Sequence, residues 1–244
     1  PLLAKYYDTI IFYRVPMTPE LRAFISVAKK FQKTLIFDID DLVFERGAVR
    51  SLKVLKTLKK REKKLYLQGV DRMQETLRVC SAAVGSTPMI VEHLKRYTPR
   101  VFLNRNRVSE EMLRLSQVAL LKKNKPHEKC VLGYFSGSKT HDADFEMITP
   151  VLVEILKQYP QVQLLLTGYL QLPPGLRRFR KRIEQHAFVD WKKLPKLLAR
   201  VDLNLVPLEP RKFNEAKSAI KVLEAALVEV PSVVSDLPEL RNVA

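Results

Sequence analysis

The chain has 244 residues, 46% of them apolar, which is long enough for two compact domains and too apolar for general disorder. No run of about 18 apolar residues marks a membrane span. A formal charge of +17 favours polyanionic partners: nucleic acid, an anionic bilayer surface or phosphorylated substrates.

Strands and helices are predicted to alternate along the chain. Asp8 to Tyr13 reads as a strand, and Thr18-Pro19 opens a helix with a good N-cap and proline in its first turn. Thr34 to Ile39 is a continuous apolar run, as expected of a buried parallel strand. Seven basic residues then lie between Lys53 and Lys64, interleaved with Leu52, Leu55, Leu58 and Leu65. This predicts a basic amphipathic helix able to lie on anionic lipid, unless its leucines face the core. A second helix runs through Val79, Ala82 to Thr87 forms a strand, Pro88 opens a helix to Tyr97, and Val101 to Leu103 is the last strand of this half.

Ser109 to Lys123 reads as an amphipathic helix leading into a polar linker. The expected division is residues 1–122, a linker at 123–129, and a second domain at 130–244. In that second domain Cys130 to Phe135 is a strand, Asp142 to Tyr159 a helix and Val162 to Thr167 a strand. A basic helix holding Arg177 to Arg182, a strand at Ala187 to Val189, a helix at Leu194 to Arg200 and a strand at Leu203 to Val206 follow. Such alternation predicts parallel sheets covered on both faces. Cys80 and Cys130 have no metal-ligand spacing and read as buried thiols of a reducing cytoplasm. The chain starts at Pro1 without a signal-peptide pattern, and Leu237 to Ala244 resembles the opening of a helix cut short. An excerpt of a longer protein is expected.

Three constellations could carry chemistry. Ser136, Gly137 and Ser138 form a small-residue turn after a strand, where backbone can approach a phosphate, and Lys139 follows. Leu35 to Leu42 is a strand ending in Asp38, Asp40 and Asp41. Between Phe213 and Ser235 a polar loop leads into a helix and a short strand, with Lys217, Ser218, Lys221 and Glu224 crowded into two turns. A helix start there would favour a diphosphate, and a carboxylate two turns in can accept hydrogen bonds from ribose hydroxyls.

The segment Phe213-Asn-Glu-Ala-Lys-Ser-Ala-Ile-Lys-Val-Leu-Glu224, followed by Pro231 to Ser235, resembles the donor-binding signature of GT-B glycosyltransferases of the family-four, or group 1, type. The first glutamate of that family's Glu-x7-Glu element falls at Ala216 and is missing. The segment instead resembles a subgroup with the form Phe-Asn-x-Ala-Lys-Ser-x-Ile-Lys-x-x-Glu. Gly133 to Asp142 and Asp38 to Asp41 are similar to stretches of the same subgroup.

The resemblance implies a GT-B fold, two Rossmann-like α/β domains facing across a cleft, with the first domain incomplete. It implies a retaining glycosyltransferase that moves a sugar from a nucleotide-diphosphate sugar to a glycan or lipid-linked acceptor, without metal or other cofactor. Lys217, Asp40 and Asp41 are the catalytic candidates. Ser136, Gly137, Ser138, Lys139, Val189, Trp191, Lys217, Ser218 and Glu224 are the donor-binding candidates, Trp191 as an aromatic wall for the base. A cytoplasmic protein, peripheral at the inner membrane face, is expected. The competing readings are a haloacid-dehalogenase-like phosphatase using Asp38 and Asp40, and a nucleic-acid-binding protein. The first lacks the expected Thr or Val at Leu42, and the second lacks aromatics within the basic runs.

Overall fold

The computed structural model describes residues 3–123, 129–137 and 142–243. The chain divides into two units, Pro1–Asn106 with Arg211–Ser218, and Arg107–Pro210 with Ala219–Ala244.

The first unit opens with α1 (Leu3–Tyr6), β1 (Thr9–Tyr13), α2 (Pro19–Lys30) and β2 (Thr34–Ile39). Thr18 caps α2 by accepting the Leu21 N–H at 3.1 Å, and Pro19 sits where a missing N–H costs nothing. In β2 Leu35, Phe37 and Ile39 are buried on one face, which turns Asp38 to the other. Next come α3 (Arg46–Arg50), α4 (Val54–Thr57), α5 (Lys60–Val79), β3 (Ala82–Gly85), α6 (Pro88–Leu94) and β4 (Val101–Leu103). The four strands pair in parallel in the order β1-β2-β3-β4. Their carboxyl ends therefore lie along one edge, and the loops after Tyr13, Ile39 and Gly85 share it.

The basic run does not form one amphipathic helix. It breaks between α4 and α5, where Leu58 and Lys59 are extended. Leu52 and Leu55 are buried in the first unit's core and Leu58 packs against it. A fully buried leucine contributes about 1.5–3 kcal/mol, so these side chains are held by the fold. Leu65 alone of the four stays exposed.

The second unit contains α7 (Glu110–Leu121), β5 (Cys130–Ser136), α8 (Asp142–Gln158), β6 (Val162–Gly168), β7 (Ile183–His186), α9 (Leu194–Leu198) and β8 (Leu203–Val206). The chain then adds α10 (Lys212–Glu215) to the first unit before α11 (Ile220–Ala226), β9 (Ser232–Val234) and α12 (Pro238–Arg241) rejoin the second. The sheet is parallel in the order β7-β6-β5-β8-β9. Strand order reverses between β5 and β8, which places a crevice at their carboxyl ends.

Several boundaries differ from those expected. The helix expected to close the first domain, now α7, belongs to the second unit, because Ala119 and Leu120 pack with Leu165, Leu198 and Val228. The basic stretch at Arg177 to Arg182 is a 3-10 segment rather than an α-helix. Its Arg182 donates to the carbonyls of Leu156, Tyr159 and Pro160, satisfying the end of α8. The following strand is Ile183–His186, not Ala187 to Val189. Among the described residues no helix is long and apolar enough to cross a membrane.

Candidate functional site

The crevice of the second unit holds a cavity of about 260 Å³. Phe135, Ser136 and Gly137 reach it from the end of β5, and Thr167 from the end of β6. Asn204 of β8 and Ile220, Lys221 and Glu224 of α11 form the opposite wall. Asn204 fixes that wall by donating its side-chain amide to Lys221 O at 3.3 Å and Ser232 Oγ at 3.0 Å. Phe188, Val189 and Trp191 close the side. Phe188 stacks on Tyr169 with ring centres 5.2 Å apart and planes 16° apart, although both rings stay about half exposed. Trp191 begins a single 3-10 turn, capped where Asp190 Oδ1 accepts the Lys192 N–H at 2.9 Å.

The close approach of β5 and β6 at this cavity depends on Gly168. Its φ is +108°, and a Cβ there would stand 1.8 Å from Ser136 O. No L side chain is compatible with that geometry.

Two polar side chains in the cavity make no hydrogen bond among the described residues. Thr167 is buried, yet its Oγ1 has no hydrogen bond among the described residues. Glu224 also accepts none among them. Burial pushes its carboxyl up to about 6 from an ordinary 4.5, against the opposing effect of the Lys221 charge. Lys221 Nζ lies 5.7 Å from the Tyr134 ring centre.

The raised value makes stability pH-dependent. The folded chain holds the Glu224 proton more tightly than the unfolded chain does. The favourable contribution is complete below pH 4.5 and is lost as pH rises through 6. Its ceiling is about 2 kcal/mol. Urea unfolding of the parent and of Glu224→Gln across that window should diverge as pH rises, the parent losing stability faster. Parallel curves would contradict the burial argument.

In the first unit Asp40 and Asp41 follow β2 and meet Arg14, which follows β1. Arg14 Nη1 is 3.2 Å from Asp40 Oδ1, and Nη2 is 3.3 Å from Asp41 Oδ2. The first contact is an ion pair off the hydrogen-bonding direction, since Asp40 Oδ1 has no hydrogen bond among the described residues. Arg14 holds this position with φ at +52°, a conformation that L residues seldom adopt. Lys217 Nζ donates to Asp41 Oδ1 at 2.7 Å, with side chains 20% and 18% exposed. Asp38 lies a strand step away, its carboxyl raised by burial and then by the charge of Asp40.

Lys217 and Ser218 were expected on the first turns of the signature helix. They precede it, because α11 starts only at Ile220. Phe213 and Ala216 are buried in the first unit's core, Ala216 O accepts from Thr87 Oγ1, and Ser218 Oγ accepts from Asn106. Those contacts hold the segment as the short α10 and a turn. Of the other expected residues, Ser136, Gly137, Val189, Trp191 and Glu224 share the second-unit cavity. Ser138 and Lys139 lie outside the described residues. Thr167, Asn204 and Arg14 were not anticipated. Only the strand-ending Thr-Gly pair hints at the first.

No protein-family model matches the chain, and no curated protein matches it in sequence. Solved structures do resemble it. Sucrose-phosphate synthase from Thermosynechococcus elongatus superposes with a TM-score of 0.58 at 17% identity, over 97% of this chain and 58% of that one. WaaG, a glycosyltransferase involved in lipopolysaccharide biosynthesis, gives 0.58 at 11% identity, over 92% of this chain and 65% of that one. An S. aureus TarM mutant, solved with fondaparinux, alpha-GlcNAc-glycerol and UDP, gives 0.53 at 13% identity, over 87% and 40%. The chain thus spans less than two thirds of each of these neighbours. At such identities the likeness speaks for the fold, which is α/β with two parallel sheets and of the GT-B type.

Proposed function

We propose that this chain is part of a retaining glycosyltransferase that moves a sugar from a nucleotide-diphosphate sugar to a glycan or lipid-linked acceptor. The second-unit cavity is the observation that carries this reading. It sits where strand order reverses in a parallel sheet, the position at which such sheets bind nucleotides. It offers flat aromatic and apolar walls for a base, and two oxygen-bearing side chains, Thr167 and Glu224, that make no hydrogen bond among the described residues and are open to ribose or sugar hydroxyls. The UDP in the TarM structure and the glycosyltransferase activity of WaaG support it from the side of the fold.

Glu224 orients the donor by accepting hydrogen bonds from ribose hydroxyls, while Phe188, Val189 and Trp191 face the base. Ser136 and Gly137, continuing into Ser138 and Lys139, border the phosphates. The acceptor oxygen bonds to the anomeric carbon on the face from which the nucleoside diphosphate departs with the bonding pair, and the acceptor's hydroxyl proton passes to the departing phosphate oxygen. Lys217 and Ser218 hold the developing negative charge, taking the place of a metal ion. Asp40 and Asp41 bind acceptor hydroxyls. A panel of nucleotide sugars screened for thermal stabilisation tests this assignment, and a donor that binds should raise Tm as its concentration exceeds Kd.

The phosphatase and nucleic-acid readings gain no support from the fold comparisons, and Arg14 engages the carboxylate of Asp40. The chain is expected to release no phosphate from a generic aryl phosphate with magnesium. Robust magnesium-dependent turnover, abolished by Asp38→Asn, would overturn the transferase reading.

We further propose a cytoplasmic location, peripheral to the inner membrane face, through the basic run. Lys56, Lys59, Lys60 and Lys63 are exposed. Each is worth roughly 1 kcal/mol beside an anionic surface, falling off within a Debye length. Changing all four to Gln should reduce co-sedimentation with anionic vesicles at low salt. Equal sedimentation of variant and parent would remove the membrane role.

A further inference from the structure

The second unit contains another cavity, of about 550 Å³, which shares no lining residue with the nucleotide pocket. It lies toward the amino ends of the strands. Val131 and Gln163 are the second residues of β5 and β6, whereas the nucleotide pocket takes Phe135 and Thr167 from their far ends. Along β5 the two linings are four residues apart, about 13 Å, and along β6 they approach to two residues, Leu165 and Thr167, about 7 Å. α9 stands between them, turning Lys196 to one cavity and Leu194 and Leu198 to the other.

The lining combines two chemistries. Leu115, Val118, Ala119, Val131 and Leu165 supply an apolar floor. Lys122, Lys129, Lys193 and Lys196 stand on the rim, exposed and without a carboxylate partner among the described residues. The remaining basic groups are engaged: Lys192 pairs with Glu111 at 3.0 Å, and Lys123 donates to Val228 O and Glu229 O. Among the described residues Glu184 is the one carboxylate on the lining, and Arg200 holds it through bonds of 2.9 and 2.6 Å.

We propose that this cavity is a binding site for a lipid phosphate, taken up as a single molecule with its head on the lysine rim and its chain on the floor. A free phosphate ion would satisfy the rim and leave the floor wet. A neutral lipid would cover the floor and leave four ammonium groups unmatched. Only an amphiphile with an anionic head meets both, and a cavity of this volume is within the range that encloses small ligands. The site is independent of the nucleotide assignment, since it uses none of the same residues.

Calorimetric titration of the full chain with dihexanoyl phosphatidic acid, kept below its micelle concentration, tests the proposal. Saturable one-to-one binding is expected. Dihexanoyl phosphatidylcholine and inorganic phosphate should each bind at least about tenfold more weakly. Changing Lys122, Lys193 and Lys196 together to Gln should weaken phosphatidic acid binding by at least about tenfold, with Tm preserved because all three are exposed. A second variant, Val118→Asp, places a charge on the floor from an exposed position and should weaken it similarly. UDP should not displace the lipid. Absence of saturable phosphatidic acid binding would overturn the proposal, as would equal affinity for inorganic phosphate. Unchanged binding in both variants would do the same.

Discussion

Replacing Glu224 with Ala is expected to weaken nucleotide binding by about 1–3 kcal/mol, or roughly five- to 150-fold, while leaving the chain folded. The range is that for a charged hydrogen-bonding group removed from opposite its ligand partners. The same carboxylate is costly to the ligand-free protein, because burial disfavours its charge by more than the nearby Lys221 charge offsets, and it accepts no hydrogen bond among the described residues. Glu224→Gln should therefore be as stable as the parent at neutral pH, or more stable, by up to about 2 kcal/mol. Loss of binding with a gain in stability marks a residue kept for its ligand. Loss of both would mark a packing residue instead. Calorimetry with UDP, GDP and dTDP, beside urea unfolding of the same samples, separates the two.

The second large effect is structural. Gly168→Ala is expected to destabilise the chain by about 3–5 kcal/mol, from a strained positive φ together with a clash that forces backbone apart. The clashing atom is Ser136 O, 1.8 Å from the added Cβ, and it belongs to the strand paired with Gly168. Relief requires β5 and β6 to separate at the mouth of the cavity proposed to take the nucleotide. Whatever variant remains folded should also bind nucleotide poorly. A loss of stability below about 1 kcal/mol would contradict the geometry at this strand end.

The alternation of the chain was legible because parallel strands buried on both faces read as unbroken apolar runs, as in Thr34 to Ile39 and Val162 to Thr167. β7 was misplaced because it is an edge strand, with Ile183 its one buried residue beside polar Glu184, Gln185 and His186. The basic run left two readings open for a related reason. Spacing cannot distinguish leucines aimed at lipid from leucines aimed at a core, and Leu52 and Leu55 belong to the core. Within the site, Ser136, Gly137, Val189, Trp191 and Glu224 were singled out in sequence and line one cavity. The pairing of Lys217 with Asp41 spans 176 positions, and no local pattern encodes it. Arg14 was equally silent, since its importance lies in the two carboxylates it meets and in a backbone angle. The late start of α11 followed from Phe213 and Ala216, whose burial draws the preceding segment into the first unit.

The most direct test of the central claim is calorimetric titration of the full chain with UDP, GDP and dTDP at two pH values on either side of 6. Ribose hydroxyls donate to the ionised form of Glu224, so binding should favour the deprotonated carboxyl. The account predicts that at least one of the three binds saturably with one-to-one stoichiometry at pH 7.5. Its affinity should fall as pH drops below about 6, by up to about tenfold per unit. Both the binding at pH 7.5 and its pH dependence should be lost on Glu224→Ala. Failure of all three nucleotides to bind, or binding that is unchanged in Glu224→Ala, would contradict the assignment of this cavity to a nucleotide sugar.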